Sequence, residues 1–289
     1  MPTSRAPTVR QRRLGAALQR LRKENELSAD DVGWRLGWSA SKVSRIETAR
    51  IGVRESDLRR LLKLYRATEH MRAELLALSH EAGKKGWWAD FPELRDDLAT
   101  FIALEDEADQ VLTFESQAVN GLLQTEDYAR RLILGWDEVM PRPPAAIDRD
   151  LQVRMRRQQL IAPPRSLRLT VVLDEAVLLR RVGDATVMRR QLERLVELAG
   201  LPNIELLVLP LDADHGAGLS AFTLLEYAPA YEVTFPAMVH TESRTSSQIQ
   251  DETVTHEYRR EFQWLVERSL DQSRSVEFIQ RVNAERWAR

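Results

Sequence analysis

Apolar residues between positions 28 and 50 recur at helical spacing, in two short runs rather than one. The stretch reads S-A-D-D-V-G-W-R-L-G-W-S-A-S-K-V-S-R-I-E-T-A-R, and Val32, Leu36, Val43 and Ile46 fall three, four or seven residues apart. Gly37 stands where the first run must end, at a position suited to positive φ, and Ser28 and Ser39 are good N-caps. The pattern predicts two short helices joined by a tight turn, a helix-turn-helix. Upstream, Leu14, Leu18 and Leu21 mark another helix; downstream, Leu58, Leu61, Leu62 and Tyr65 predict one over 54–65, and a fifth covers 71–78.

The periodicity changes further along. Helical patterns cover 94–112, then 125–134 with Thr125 as N-cap and Tyr128, Leu132 and Ile133 inward, then 151–161 after a proline-rich break. Four short runs rich in β-formers predict strands at 167–173, 204–209, 221–227 and 232–240. Helices at 174–182 and 186–199 between the first two strands suggest a crossover unit, followed by a hairpin-like pair and helices at 252–270 and 275–287. The expected fold is an N-terminal all-α helix-turn-helix bundle of about five helices followed by a larger α+β domain. Its divisions are a flexible tail at 1–9, the DNA-binding bundle at 10–82, a linker at 83–87 and the α+β domain at 88–289. Trp87 and Trp88 belong to the second core or to the seam.

Charge sharpens this division. The whole chain carries a net charge of only −2, yet residues 1–86 hold 19 Lys/Arg against 10 Asp/Glu and the remainder 23 against 34, about +9 and −11. Arg5, Arg10, Arg12, Arg13, Arg20, Arg22 and Lys23 crowd the beginning, and beside the motif they point to phosphate attraction. The chain has no cysteine, no apolar run like a signal peptide and no stretch of the roughly 18 apolar residues that cross a bilayer, so a cytoplasmic protein off the membrane is expected.

Candidate catalytic chemistry is sparse. Asp212 to Gly218, His240 with Glu242, and His256 with Glu257 are the groupings that mix histidine with carboxylates, and none has the spacing of a zinc, nucleotide or nucleophile motif. The first reads better as a turn between strands. Glu105, Asp106, Glu107 and Asp109 read as a solvated helix face rather than a metal site. The expectation is therefore no enzyme, no cofactor and no metal. In the recognition helix, Ala40, Ser41, Lys42 and Arg45 would face base edges, with Lys42 able to donate to guanine. Ser28, Arg50 and Arg54 are phosphate candidates, and Trp34 and Trp38 are expected to pack.

Residues 10–66 resemble the phage-repressor, or XRE, type of helix-turn-helix, with S-A-S-K-V-S-R-I-E-T-A-R similar to its recognition helix. From about residue 88 the chain resembles the effector-like domain of the WhiJ and Scr1 type of actinobacterial regulators, through V-N-G-L-L-Q-T-E-D-Y-A-R from Val119, R-M-R-R-Q from Arg154, V-L-D-E-A-V-L from Val172, Gln191-Leu192 and G-L-S-A-F-T-L-L-E from Gly218. Asn120 departs from the proline expected there. The resemblance implies a transcriptional regulator of double-stranded DNA, paired with a small protein encoded nearby, and it implies that Glu47 pairs within the domain with an arginine, Arg35 or Arg50. A homodimer reading two half-sites is expected, with Phe262, Leu265 and Phe278 as candidate pairing residues. The partner would meet the strand-rich region 204–240, at a sheet edge or at Phe222, Tyr227 and Tyr231. An antitoxin-like protein that neutralises a small toxin and a small-molecule-sensing repressor are the alternatives.

Overall fold

A computed structural model describes residues 8–83, 86–137, 139–214, 220–229, 235–242, 247–250 and 252–287. The chain divides into two units, residues 1–107 with 227–235, and residues 108–226 with 236–289. Most of the expected tail, Lys84 and Lys85 of the expected linker, Tyr231 and the glycines of the 212–218 turn lie outside the described residues.

In the first unit, α1 (Val9–Glu24) starts with Thr8 and Gln11 in a capping box. Ser28 and Asp31 form a second box at α2 (Ala29–Leu36), which ends at Gly37 with φ 70°. Ser39 caps α3 (Ala40–Glu47) by accepting the Lys42 N–H. Then follow α4 (Glu55–Leu64), α5 (Glu69–Ala82), a short 3₁₀ turn and α6 (Asp96–Asp106). Leu14, Leu18, Leu21, Val32, Val43 and Ile46 join residues of α4 and α5 in one core. Two glycines permit its closest approaches. A Cβ on Gly15 would stand 2.3 Å from the Glu47 carbonyl oxygen, and one on Gly33 would stand 2.7 Å from that of Trp38, so α1 and the turn both press on bare backbone.

The acidic run at the end of α6 is not the solvated face expected of it. Glu105 is 1% exposed, and Arg10 reaches the part-buried Glu107 at 2.6 Å. A short-range reading of charge misses this because the arginine sits nearly a hundred positions away.

The second unit is built on a sheet of order β3-β2-β1-β4-β5-β6. Its first strand, β1 (Gln110–Glu115), begins inside the stretch expected to be helical, which corrects that assignment for 110–112. Two helices follow, α7 (Glu126–Asp137) and α8 (Pro144–Arg157), then β2 (Arg168–Asp174), α9 (Glu175–Leu179), α10 (Ala185–Ala199) and β3 (Ile204–Leu209). β1, β2 and β3 run parallel, so the crossover between β2 and β3 is the βαβ unit anticipated. β4 (Phe222–Glu226), β5 (Met238–Glu242) and β6 (Ser247–Gln250) continue antiparallel, and α11 (Glu252–Arg268) and α12 (Gln272–Arg286) complete the unit. Phe114, Phe222, Leu224 and Val239 pack with Phe262 and Leu265 of α11. Strand alternation places Thr113, Thr223 and His240, which are register partners across β1, β4 and β5, on the opposite face.

Several surfaces expected for partners are core. Phe262 and Leu265 are 4% and 0% exposed, and Phe222 and Tyr227 are also buried, so none is available as an anchor. The β3 edge is closed as well. The Leu206 and Val208 N–H groups donate to Gln272 Oε1 at 3.0 Å and Ser275 Oγ at 2.9 Å, while the Val208 carbonyl accepts the Leu270 N–H at 2.8 Å. An added strand would find those groups already used.

Candidate nucleic-acid interface

The face of α3 turned from the core carries short and cationic side chains. Val43 and Ile46 are buried, whereas Ser41, Ser44, Arg45 and Thr48 are exposed and Ala40 is half-buried. That leaves an eight-residue helix with a small, polar outer surface, the shape that a major groove admits. Arg45 folds back along it, Nε lying 3.4 Å from the Ser41 carbonyl oxygen, and is free to extend.

Both ends of α3 are tethered. Arg22 grips Glu47 through two parallel bonds of 2.7 and 2.8 Å and spends a third on the Leu27 carbonyl. Glu47 is therefore an intramolecular partner, but of Arg22 rather than of Arg35 or Arg50. This hydrogen-bonded carboxylate raises the Arg22 pKa. At the other end the Lys42 ammonium lies 2.8 Å from Asp57 and 3.7 Å from the centre of the Trp38 ring. Lys42 was expected to reach a guanine, and it instead ties α3 to α4. The Asp57 partner is fifteen residues away and gave no signal in the sequence.

The phosphate candidates separate in the same way. Arg50 and Arg54 are exposed, and among the described residues neither makes a side-chain hydrogen bond or ion pair; Arg35 on α2 is alike. Ser28 spends both its N–H and its hydroxyl on Asp31, at 2.8 and 2.5 Å. Those bonds hold the Asp31 carboxyl below its ordinary pKa, and with Asp30 beside it a phosphate approaching this helix start would meet two negative charges. The α1 cations are more committed than their number suggests. Arg10 pairs with Glu107, Arg20 lies 3.5 Å from Glu24, Arg22 holds Glu47 and Arg13 donates to the Ala228 carbonyl. Arg5 lies outside the described residues.

Of the two tryptophans expected to pack, Trp38 does so against the core, under Lys42 and Arg60. Trp34 does not, being 85% exposed on α2 next to Arg35. An indole so open to water is an addition to the surface around the motif, as is Ser44 on α3.

Among the described residues no helix is long and apolar enough to cross a membrane, and no group of three His, Asp or Glu could hold a metal ion. No curated protein and no solved structure matches the chain. Residues 13–75 match the family described as a helix-turn-helix domain, so a DNA-binding module stands at the N-terminal end of the chain. Residues 98–281 match the family described as a domain of unknown function, DUF5753, and over this majority of its length the chain belongs to that family.

Proposed function

We propose that the chain is a sequence-specific DNA-binding regulator of the phage-repressor type, in which Ser41, Ser44 and Arg45 read base edges and Arg35, Arg50 and Arg54 hold the phosphates. The carrying observation is the outer face of α3, small and polar, on a helix fixed at both ends. Lys42 positions that helix and does not head the list of readers. The DUF5753 domain acts as the control module of a cytoplasmic, WhiJ- or Scr1-type regulator and performs no catalysis. One short helix covers few base pairs, so a homodimer on two half-sites supplies the remaining selectivity. The acidic excess outside residues 1–86 favours a basic small protein, encoded nearby, as its partner.

Fluorescence anisotropy with the full chain tests the DNA reading, using the DNA upstream of its own gene and a random duplex. Affinity for both should fall steeply between about 50 and 200 mM salt. Arg45→Ala should lose on the order of 1 to 3 kcal/mol of discrimination between the two duplexes. An equal loss on both would remove Arg45 from base reading, and salt-independent affinity would remove the phosphate contacts.

A further inference from the structure

Trp34 and Trp38 stand four positions apart in the helix-turn-helix, and their surroundings differ. Trp38 packs on the core and carries a cation on its ring, the Lys42 ammonium, 3.7 Å from the ring centre. That ammonium is held at the same time by the Asp57 carboxylate at 2.8 Å. An indole face and a carboxylate together make a seat for one cation, the ring taking the charge from one side and the oxygen from another.

On α2 the same two kinds of group stand without the cation. Asp30 lies four residues before Trp34 and Asp31 three, so both carboxylates share the indole's side of the helix. Trp34 is 85% exposed, the most open large apolar side chain among the described residues. Among those residues neither Trp34 nor Asp30 has a hydrogen bond, an ion pair or a ring contact. Asp31 is held ionised by its bonds from Ser28. Arg35, the next residue, stands about 100° further round the helix and does not face the ring.

Charge decides what covers this face. Two carboxylates repel a phosphate backbone, so DNA is disfavoured here although residues 1–86 as a whole are basic. A purely apolar surface would strand the same carboxylates away from water. A guanidinium suits both groups, because it stacks flat on an indole while its edge bonds a carboxylate in two places. The seat is also rigid. Gly33, beside Trp34, lets α2 press on the Trp38 carbonyl oxygen, 2.7 Å from where a Cβ would stand, and Arg60 of α4 donates to the Leu36 carbonyl at 2.7 Å. A partner seated on α2 is therefore carried at a fixed distance from the outer face of α3.

We propose that Trp34 and Asp30 anchor a docking surface for a second protein, which enters it with an arginine of a basic segment. The guanidinium lies on the Trp34 ring and pairs with Asp30, while Asp31, which spends an oxygen on Ser28, adds its charge to the field. The contact is small and of the transient kind, and an indole is the type of side chain that dominates the binding energy of such contacts. This surface is separate from the DUF5753 domain and does not rest on the base and phosphate roles given to α3 and its neighbours. Where the chain sits on DNA, it places a second protein beside the operator.

Fluorine NMR of the full chain grown with 5-fluorotryptophan tests this, since Trp34→Phe identifies which of the seven tryptophan signals is that of Trp34. The probes are blocked, alanine-based helical peptides that carry one arginine, one lysine or one glutamate per turn. The arginine peptide should move the Trp34 signal saturably at submillimolar concentration, and the glutamate peptide should leave it in place. The lysine peptide should bind more weakly, by about threefold or more. Asp30→Asn should weaken the arginine peptide by roughly fivefold, and Trp34→Ala should change the affinity for promoter and random DNA by less than about twofold. A Trp34 signal that the arginine peptide does not move, or that moves equally with the lysine peptide or in Asp30→Asn, would overturn the proposal. A signal moved by duplex DNA, with Trp34→Ala weakening both duplexes, would overturn it as well and assign the indole to the DNA face.

Discussion

Glu47 in the helix-turn-helix and Glu115 in the DUF5753 domain are both withdrawn from water, and their surroundings differ in one respect. Glu47 meets a guanidinium with matched geometry, two bonds from Arg22. Glu115 meets an amide and a hydroxyl, both neutral, on a single oxygen. The first arrangement is closed, since its charges cancel and its lone pairs are used, so its work is to hold α3 in place. The second is open. A carboxylate given only neutral donors keeps a charge that those donors do not cancel, so its burial raises its pKa. Pairing, more than burial, separates the two carboxylates.

The contrast can be broken at its strongest point first. Arg22→Ala should leave Glu47 buried without a counter-ion and cost about 3 kcal/mol of stability, read by urea unfolding. A cost below about 1 kcal/mol would make the pair ornamental and return Glu47 to the candidates for DNA contact.

Glu115 should act through pH instead. Its carboxyl keeps a proton to about pH 7 when folded, against about 4.3 when unfolded. Below pH 4 both states are protonated and the group contributes nothing. Between these values the folded chain binds more protons, so stability falls as pH rises and stays reduced above pH 7. Glu115→Gln should flatten this part of the profile and melt higher than the parent at pH 8. A parallel pair of profiles would show that Glu115 is already compensated.

The smallest effect belongs to Lys42, whose pair with Asp57 is partly exposed. Lys42→Met should cost about 0.5 to 1 kcal/mol of stability and weaken specific and random DNA alike. A loss confined to the specific duplex would restore Lys42 as a reader of bases.

What the sequence disclosed of this contrast follows the range of the interactions. Gly37, Ser39 and the apolar spacing from Val32 to Ile46 are local, and the helix-turn-helix they predict is present. The same holds for β2, β3 and β4, whose β-branched and leucine-rich runs are bounded by turns. β1 was hidden because Val111 and Leu112 continue the apolar period of the helix before them, and β6 because Ser247–Gln250 holds one apolar residue. At the DNA face the exposed positions of α3 were legible from helical period. The ties that decide which cations remain free, Arg22 to Glu47, Lys42 to Asp57 and Arg10 to Glu107, join residues 15 to 97 apart, and no periodicity carries them. The quoted stretches around Asn120, Arg154 and Gln191 likewise gave no sign that they would touch.

The closed edge of β3 has a consequence for the order in which the protein becomes safe to handle. Leu270, Gln272 and Ser275, which occupy that edge, leave the ribosome some sixty residues after the strand they cover. For that interval a nascent chain displays an open, apolar strand edge, and translation at about 5 to 20 residues per second sets its duration to several seconds. Neighbouring chains on one polysome share the exposure. Slow codons between β3 and α12 would lengthen it, and with it the time for which that edge can pair with another chain.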